Sequence, residues 1–293
     1  MKTKSLPYIV TLGVLYGTTM VASRFSVALI KPATYISLRM MIASLGFLVI
    51  YGLRLGGRRF PHSKKLWKQA ALLGIFGTIT PMLLIVSSLQ YQSSGVTSVL
   101  VTSSPAITIL MAHLFLHDEK ITWIKGIGIT LALGGGLFLA IRGESGLPDL
   151  SAAKPIGYIM VLVGMLSGSA MTIYARKYMG EQNVFDVAGA RIFVSAMVMI
   201  PWSIYFLRED IRHLNVMGWE AVFYAAVSGT FIAILLDFYN VKHFGATASA
   251  MVSYVVPIVA SFIGVILLHE TVTLGMLAGM VLILTGLVLI NVF

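Results

Sequence analysis

The chain has no cysteine, so disulfides, thiolate catalysis and cysteine-ligated metal sites are excluded at once. Charge is nearly as scarce. Only 11% of its 293 residues are Asp, Glu, Lys or Arg, against about 25% in ordinary soluble domains. Acid is the rarer sign, with 11 Asp and Glu against 21 Lys and Arg. At 58% hydrophobic residues and a mean hydropathy of +0.91, the chain has too few polar side chains to cover a water-soluble globule. A soluble two-domain enzyme, a coiled coil and a disordered regulator fall away together. Common catalytic signatures are missing as well: no GxxxxGK[ST] phosphate loop, no HExxH and no GxSxG. The composition calls for an all-α polytopic membrane protein that is not an enzyme, with no cofactor and no metal expected.

What the sequence does have is apolar length. A bilayer core of roughly 30 Å needs about 20 apolar residues per helix. Runs of that length, bracketed by charges or turn residues, lie at about 8–29, 33–53, 69–90, 95–116 and 121–141. Five more lie at about 156–175, 185–207, 219–241, 246–268 and 273–293. Lys2 and Lys4 ahead of the first run resemble a signal peptide, but no small-residue cleavage site follows, which favours an uncleaved first helix. The net charge of +10 sits in short gaps between apolar runs, so it reads as a topology signal and not as a nucleic-acid surface. With the N-terminus inside, 13 Lys and Arg fall on the inner side and 6 on the outer, and Arg39 and Arg191 fall within spans. That bias places both termini in the cytoplasm of an inner-membrane, multi-pass protein.

The chain is also written twice. Adding 152 carries Arg39 to Arg191, Trp67 to Trp219, Gly77-Thr78 to Gly229-Thr230, Pro105 to Pro257 and His117 to His269. One residue is then lost, and Thr122, Gly128 and Gly135 meet Thr273, Gly279 and Gly286. Gly13 and Gly17 likewise match Gly164 and Gly168. So many coincidences at one spacing signal an internal duplication. Each copy holds five spans, an odd number, so the second copy enters the membrane from the opposite side. Two inverted repeats around a central cavity are the architecture of alternating access, which points to a carrier of small molecules.

On these features the chain resembles the drug/metabolite transporter superfamily, in its EamA-type ten-helix form. The resemblance rests on the five-plus-five repeat and on the end of each half. Those ends read Pro105 through His117-Asp118-Glu119, Thr122 and Gly128, then Pro257 through His269-Glu270, Thr273 and Gly279. The arginine early in the second helix of each half fits as well. The expected division is a first repeat at 1–142, a linker at 143–155 and an inverted repeat at 156–293. The resemblance implies secondary transport, usually export, of amino acids or related small metabolites. An exporter of cationic drugs or amines is the alternative within transport. A membrane-embedded lipid-handling protein or enzyme is the alternative outside it, and needs a nucleophile, metal cluster or phosphate site that the sequence does not display. The assembly is left open between monomer and homodimer, since small-xxx-small motifs pack helices within one chain or between two.

Charged residues within spans come first among candidate binding groups, because each costs about 2.5–3.5 kcal/mol to insert. They are Arg39, Arg191 and Asp237. Counting about 1.5 Å per residue, Arg191 and Asp237 reach a similar depth, so a structural ion pair, substrate contact and proton coupling are all open to them. Arg39 lacks a matching acid, because Ile85 stands where the second half has Asp237. It needs backbone carbonyls, a polar neighbour such as Ser88 or Gln90, water or an anionic ligand, and a substrate carboxylate is one such ligand. Pro105 and Pro257 lie near mid-span behind Ser103-Ser104 and Ser253-Tyr254, and each disturbs the helix one turn earlier. These six are expected to line the cavity or, for the prolines, to flex during gating. Tyr16 and Thr18 complete the expected substrate-binding set, opposite the Gly13–Gly17 stripe. Met160, Met165 and Met171 read as core or lipid-facing. His117-Asp118-Glu119 and His269-Glu270 fall at helix ends on opposite faces of the membrane, where caps and turns explain them better than a shared metal.

Overall fold

The computed structural model describes residues 5–116, 121–245 and 250–292. Ten apolar helices account for nearly all of them, as the hydropathy pattern requires. The first half contains α1 (Leu6–Val27), α2 (Pro32–Gly52), α3 (Lys64–Ser88), α4 (Ser94–Phe115) and α5 (Trp123–Arg142). The second contains α6 (Ile156–Tyr178), α7 (Val184–Asp210), α8 (Val216–Phe244), α9 (Val252–Leu268) and α10 (Leu274–Val292). Among the described residues nine of these are long and apolar enough to cross a bilayer unaided, and α9 has 17 residues. Helix α3 starts earlier than hydropathy suggests because Ser63 caps it, accepting from the Leu66 amide at 3.3 Å. Asn215, 152 residues on, caps α8 in the same way through the Gly218 amide. Local signals thus repeat along with the spans.

The halves interlock. Helix α1 packs on α9 and α6 on α4; α6 also packs on α3 as α1 does on α8; α2 lies along α7 and α5 along α10. Each of these pairings turns into another member of the set or into itself when the two halves are exchanged, which is the mark of a pseudo-two-fold axis. In lipid no hydrophobic force draws helices together, so close backbone approach has to supply the attraction. Gly128 and Gly286 show it most directly. A methyl on Gly128 would lie 2.6 Å from the Gly286 carbonyl oxygen, and one on Gly286 would lie 2.5 Å from that of Gly128. Between α2 and α7 the seam is polar: Ser37 donates to the Met199 carbonyl at 3.1 Å and shares a 2.8 Å hydrogen bond with Ser203, and Thr34 donates to Asp210.

Two features interrupt the helices. A single π-helical turn occurs in α3 at Ile75–Ile79 and another in α8 at Val227–Ile232, each around the duplicated Gly-Thr pair. In both, the threonine hydroxyl donates five residues back, Thr78 to Leu73 at 3.3 Å and Thr230 to Ala225 at 3.1 Å. The two prolines differ. Regular helix breaks at Ser103 ahead of Pro105, whereas α9 runs through Pro257 without a break.

Glu270 ties the α9–α10 connection to the start of α4. Its carboxylate accepts from the Ser94 amide and hydroxyl, both at 2.7 Å, and from the Gly95 amide at 3.3 Å. A buried anion on a helix N-terminus satisfies amides that would otherwise have no partner. His269 supplies the turn that carries it there, in the left-handed region at φ 55°. The expected caps and turn formers are therefore seen for this pair, while 117–120 lie outside the described residues. Replacing Glu270 by Ala is expected to cost about 2–3 kcal/mol, the worth of a charged hydrogen-bond cluster, and Gln should recover part of it. Thermal unfolding in detergent measures both.

Candidate functional site

Helix α1 sets the geometry of the site. Its glycines Gly13 and Gly17 press against α9 at Val255 and at Val256 and Val259, which turns the opposite stripe inward. Tyr16, Thr19, Met20 and Ser23 on that stripe follow helical spacing and form one wall of a central cavity of about 390 Å³. Arg39, Thr102, Asp237 and Ser253 bring further polar groups from α2, α4, α8 and α9. The rest of the wall is apolar: Met82, Ile85, Val86, Val101, Val252 and Val256.

Arg39 is 7% exposed and held firmly. Its Nε donates to the Thr230 hydroxyl at 2.6 Å and its Nη2 to the Gly229 carbonyl at 3.2 Å. Both acceptors belong to the π-turn of α8, so the arginine crosses from one half of the chain to the other. This is the backbone-carbonyl solution to a buried guanidinium, and Ser88 plays no part, since its hydroxyl donates to the Ile85 carbonyl. Only two of the five N–H donors of a guanidinium are used this way.

Arg191 sits elsewhere. It lines a second, smaller cavity of about 230 Å³ with Gly77, Gly168, Met171, Thr172 and Ala175. Its Nε is buried without a hydrogen-bond partner. Asp237 and Tyr16, which line the central cavity, lie within electrostatic reach of Arg191.

The remaining polar candidates are placed outside the central wall. Thr18 donates to the Val14 carbonyl at 2.6 Å and shares a 2.6 Å hydrogen bond with Tyr224, tying α1 to α8. Ser103 and Ser104 donate to the Leu100 and Val101 carbonyls of their own helix, each at 2.7 Å. Ser103 instead borders an apolar crevice beside Tyr158 and Met165. Tyr254 accepts from Asn291 at 3.1 Å and packs with the α5–α10 core. Neither Pro105 nor Pro257 contributes to the central wall. Thr102, in the polar stretch ahead of Pro105, does contribute and reaches the Ser253 carbonyl at 3.3 Å, as does Ser23, which was not singled out and whose hydroxyl shares a 2.8 Å hydrogen bond with Tyr35. Of the methionines read as packing, Met171 turns out to line the second cavity.

Comparison with known proteins agrees with this architecture. The EamA-like transporter family model matches twice, over residues 3–141 and 155–292. An uncharacterized transporter of Archaeoglobus fulgidus is 26% identical over 281 residues, covering 94% of each chain. The uncharacterized transporter YoaV of Bacillus subtilis is 24% identical, covering 97% of this chain and 95% of its own. The uncharacterized inner membrane transporter YedA of Escherichia coli is 27% identical, over 89% of this chain and 81% of its own. A solved crystal structure superposes with a TM-score of 0.69 at 16% identity, covering 100% of this chain and 98% of that one, which is a likeness of fold.

The chain has no native thiol, so the wall can be mapped with single cysteines. Ser253→Cys should react with a small maleimide on the order of tenfold faster than Ser103→Cys, whose position is buried. Equal rates at the two positions would contradict the wall described above.

Proposed function

The chain belongs to the EamA-like transporter family, and from that premise we propose that its central cavity carries amino acids or closely related zwitterions. It is a multi-pass membrane transporter of small molecules; the finer reading comes from the chemistry of the wall. The observation that carries it is that Arg39, which keeps N–H donors to spare, and Asp237 line one cavity together with hydroxyl-bearing, methionine and aliphatic side chains. A guanidinium suits a carboxylate through parallel hydrogen bonds. A carboxylate, with a tyrosine hydroxyl beside it, suits an ammonium group. Apolar walls suit a side chain with little polarity of its own. A cavity of about 390 Å³ also matches a small metabolite.

Transport in this reading is secondary and proceeds by alternating access, with export as the net direction. The repeats at 1–142 and 156–293, joined by 143–155, are the moving halves, and both termini lie in the cytoplasm of the inner membrane. Proton coupling is assigned to Asp237, because it lines the cavity that holds the substrate in this reading. A second reading, export of cationic amines, is favoured by the same carboxylate.

Proteoliposomes holding the purified protein test this directly. Labelled amino acids should enter saturably, and Arg39→Ala should weaken apparent affinity by about a hundredfold, the worth of a charged bidentate contact. Asp237→Asn should remove any dependence on an imposed pH gradient. Saturable uptake of amines with no competition from amino acids would transfer the assignment to the second reading. Flux of neither class through a folded protein would overturn both.

A further inference from the structure

The two halves match in sequence at the arginine and at the π-turn, yet the structure does not treat them alike. Arg39 is bonded to Thr230 and Gly229 of the second half. The positions related by 152 residues are Arg191, Thr78 and Gly77. Arg191 lies beside Gly77 in the second cavity and its Nε has no partner, although the Thr78 hydroxyl donates to Leu73 just as that of Thr230 donates to Ala225. One arginine is thus latched on the opposite half and its mate is not.

A second asymmetry appears in the glycine stripes. Gly13 and Gly17 of α1 meet α9. If the halves were in the same state, Gly164 and Gly168 of α6 would meet α4. Gly164 instead meets α3, at the Pro81 carbonyl oxygen (3.2 Å) and Ile85 (3.1 Å). Gly168 has only Pro81 near it, at 3.8 Å. Helix α1 leans toward α9, while α6 leans toward α3. Both stripes keep their glycines, although in this arrangement only Gly13, Gly17 and Gly164 need them.

We infer that Arg39–Thr230/Gly229 and Arg191–Thr78/Gly77 are alternating latches, one closed in each of the two end states of the transporter. In the state opposite to this one, Arg191 donates to Thr78 and Gly77, Arg39 releases the α8 π-turn, and the Gly164–Gly168 stripe moves onto α4. The second cavity then grows and the central cavity shrinks. Inverted repeats supply the reason, since exchanging the conformations of the halves converts one state into the other without new contacts. The π-turns supply the acceptors, because each offers a glycine carbonyl and a threonine hydroxyl near mid-span. The inference rests on the transporter reading and makes Thr78 and Thr230 positioning residues that set the balance between states.

Ser23 of α1 and Ala175 of α6 line the central and second cavities respectively. Single cysteines there report the two states through their maleimide labelling rates, without substrate, in a chain that has no other thiol. Thr230→Val removes the present latch. It should raise labelling at 175 relative to 23 by about tenfold, the effect of losing one charge-assisted hydrogen bond. Thr78→Val should shift the ratio the other way, and Thr230→Ser, which keeps the hydroxyl, should restore it. The two valine variants each lose one internal helix bond as well, so they control for each other, and elution as a single species by size exclusion confirms folding. Shifts in the same direction, or no shift in either variant, would overturn the latches. The carrier reading is scored separately by uptake. Intact uptake with unmoved labelling rejects only the latches, whereas opposed labelling shifts in a protein that moves no solute reject only the carrier.

Discussion

A guanidinium in the middle of a membrane has to be paired, and the way Arg39 is paired organises the rest of this molecule. Burying it unsupported would cost about 2.5–3.5 kcal/mol on insertion scales. Its partners are a hydroxyl and a carbonyl on a π-turn contributed by the other half of the chain. The interaction therefore holds the halves in one relative position, with the arginine in the wall of the central cavity. Because the contact is made of hydrogen bonds to neutral groups, and not of an ion pair, it fixes a geometry without cancelling the positive charge that an anionic ligand would meet.

The duplication explains why such a contact is available. Each half brings an arginine on its second helix and a Gly-Thr π-turn on its third, and the helices pack as pairs that exchange under the two-fold axis. The contacts of Gly128 against Gly286 along α5 and α10 are close and nearly reciprocal. Contacts around α1 and α6 are not reciprocal, and these helices border the cavities. The structure thus divides into a symmetric frame and an asymmetric centre, which is the division a rocking carrier needs.

Much of this was legible in the sequence. Ten spans, the inverted repeat and the family follow from hydropathy and spacing, because bilayer thickness leaves a helix few options. Of the expected set, Tyr16, Arg39, Asp237 and Ser253 line the central cavity, Arg191 lines the second, and Thr18, Ser103, Ser104 and Tyr254 lie outside the central wall. The difference is one of azimuth. Thr18 is two residues from Tyr16, which turns it to the far side of the same helix. Ser103 and Ser104 spend their hydroxyls on their own backbone, so polarity within a span did not mark the cavity. The arginine's acceptors could not be read from composition, since one is a backbone carbonyl that every residue carries and the other a threonine hydroxyl 191 residues away. The repeated Gly-Thr pair marked the place but not its partner. Glu270 was equally visible as part of a motif, but its bond to Ser94 joins positions 176 residues apart and follows only from the packing of the halves.

The central claim is that substrate crosses bound to an exchanging two-state cavity, and counterflow tests it most directly. Proteoliposomes preloaded with an unlabelled amino acid should take up the same labelled compound faster than empty ones, because the loaded carrier returns more readily than the empty one. Uptake that rises linearly with concentration and ignores the preload would describe an open pore and contradict the account.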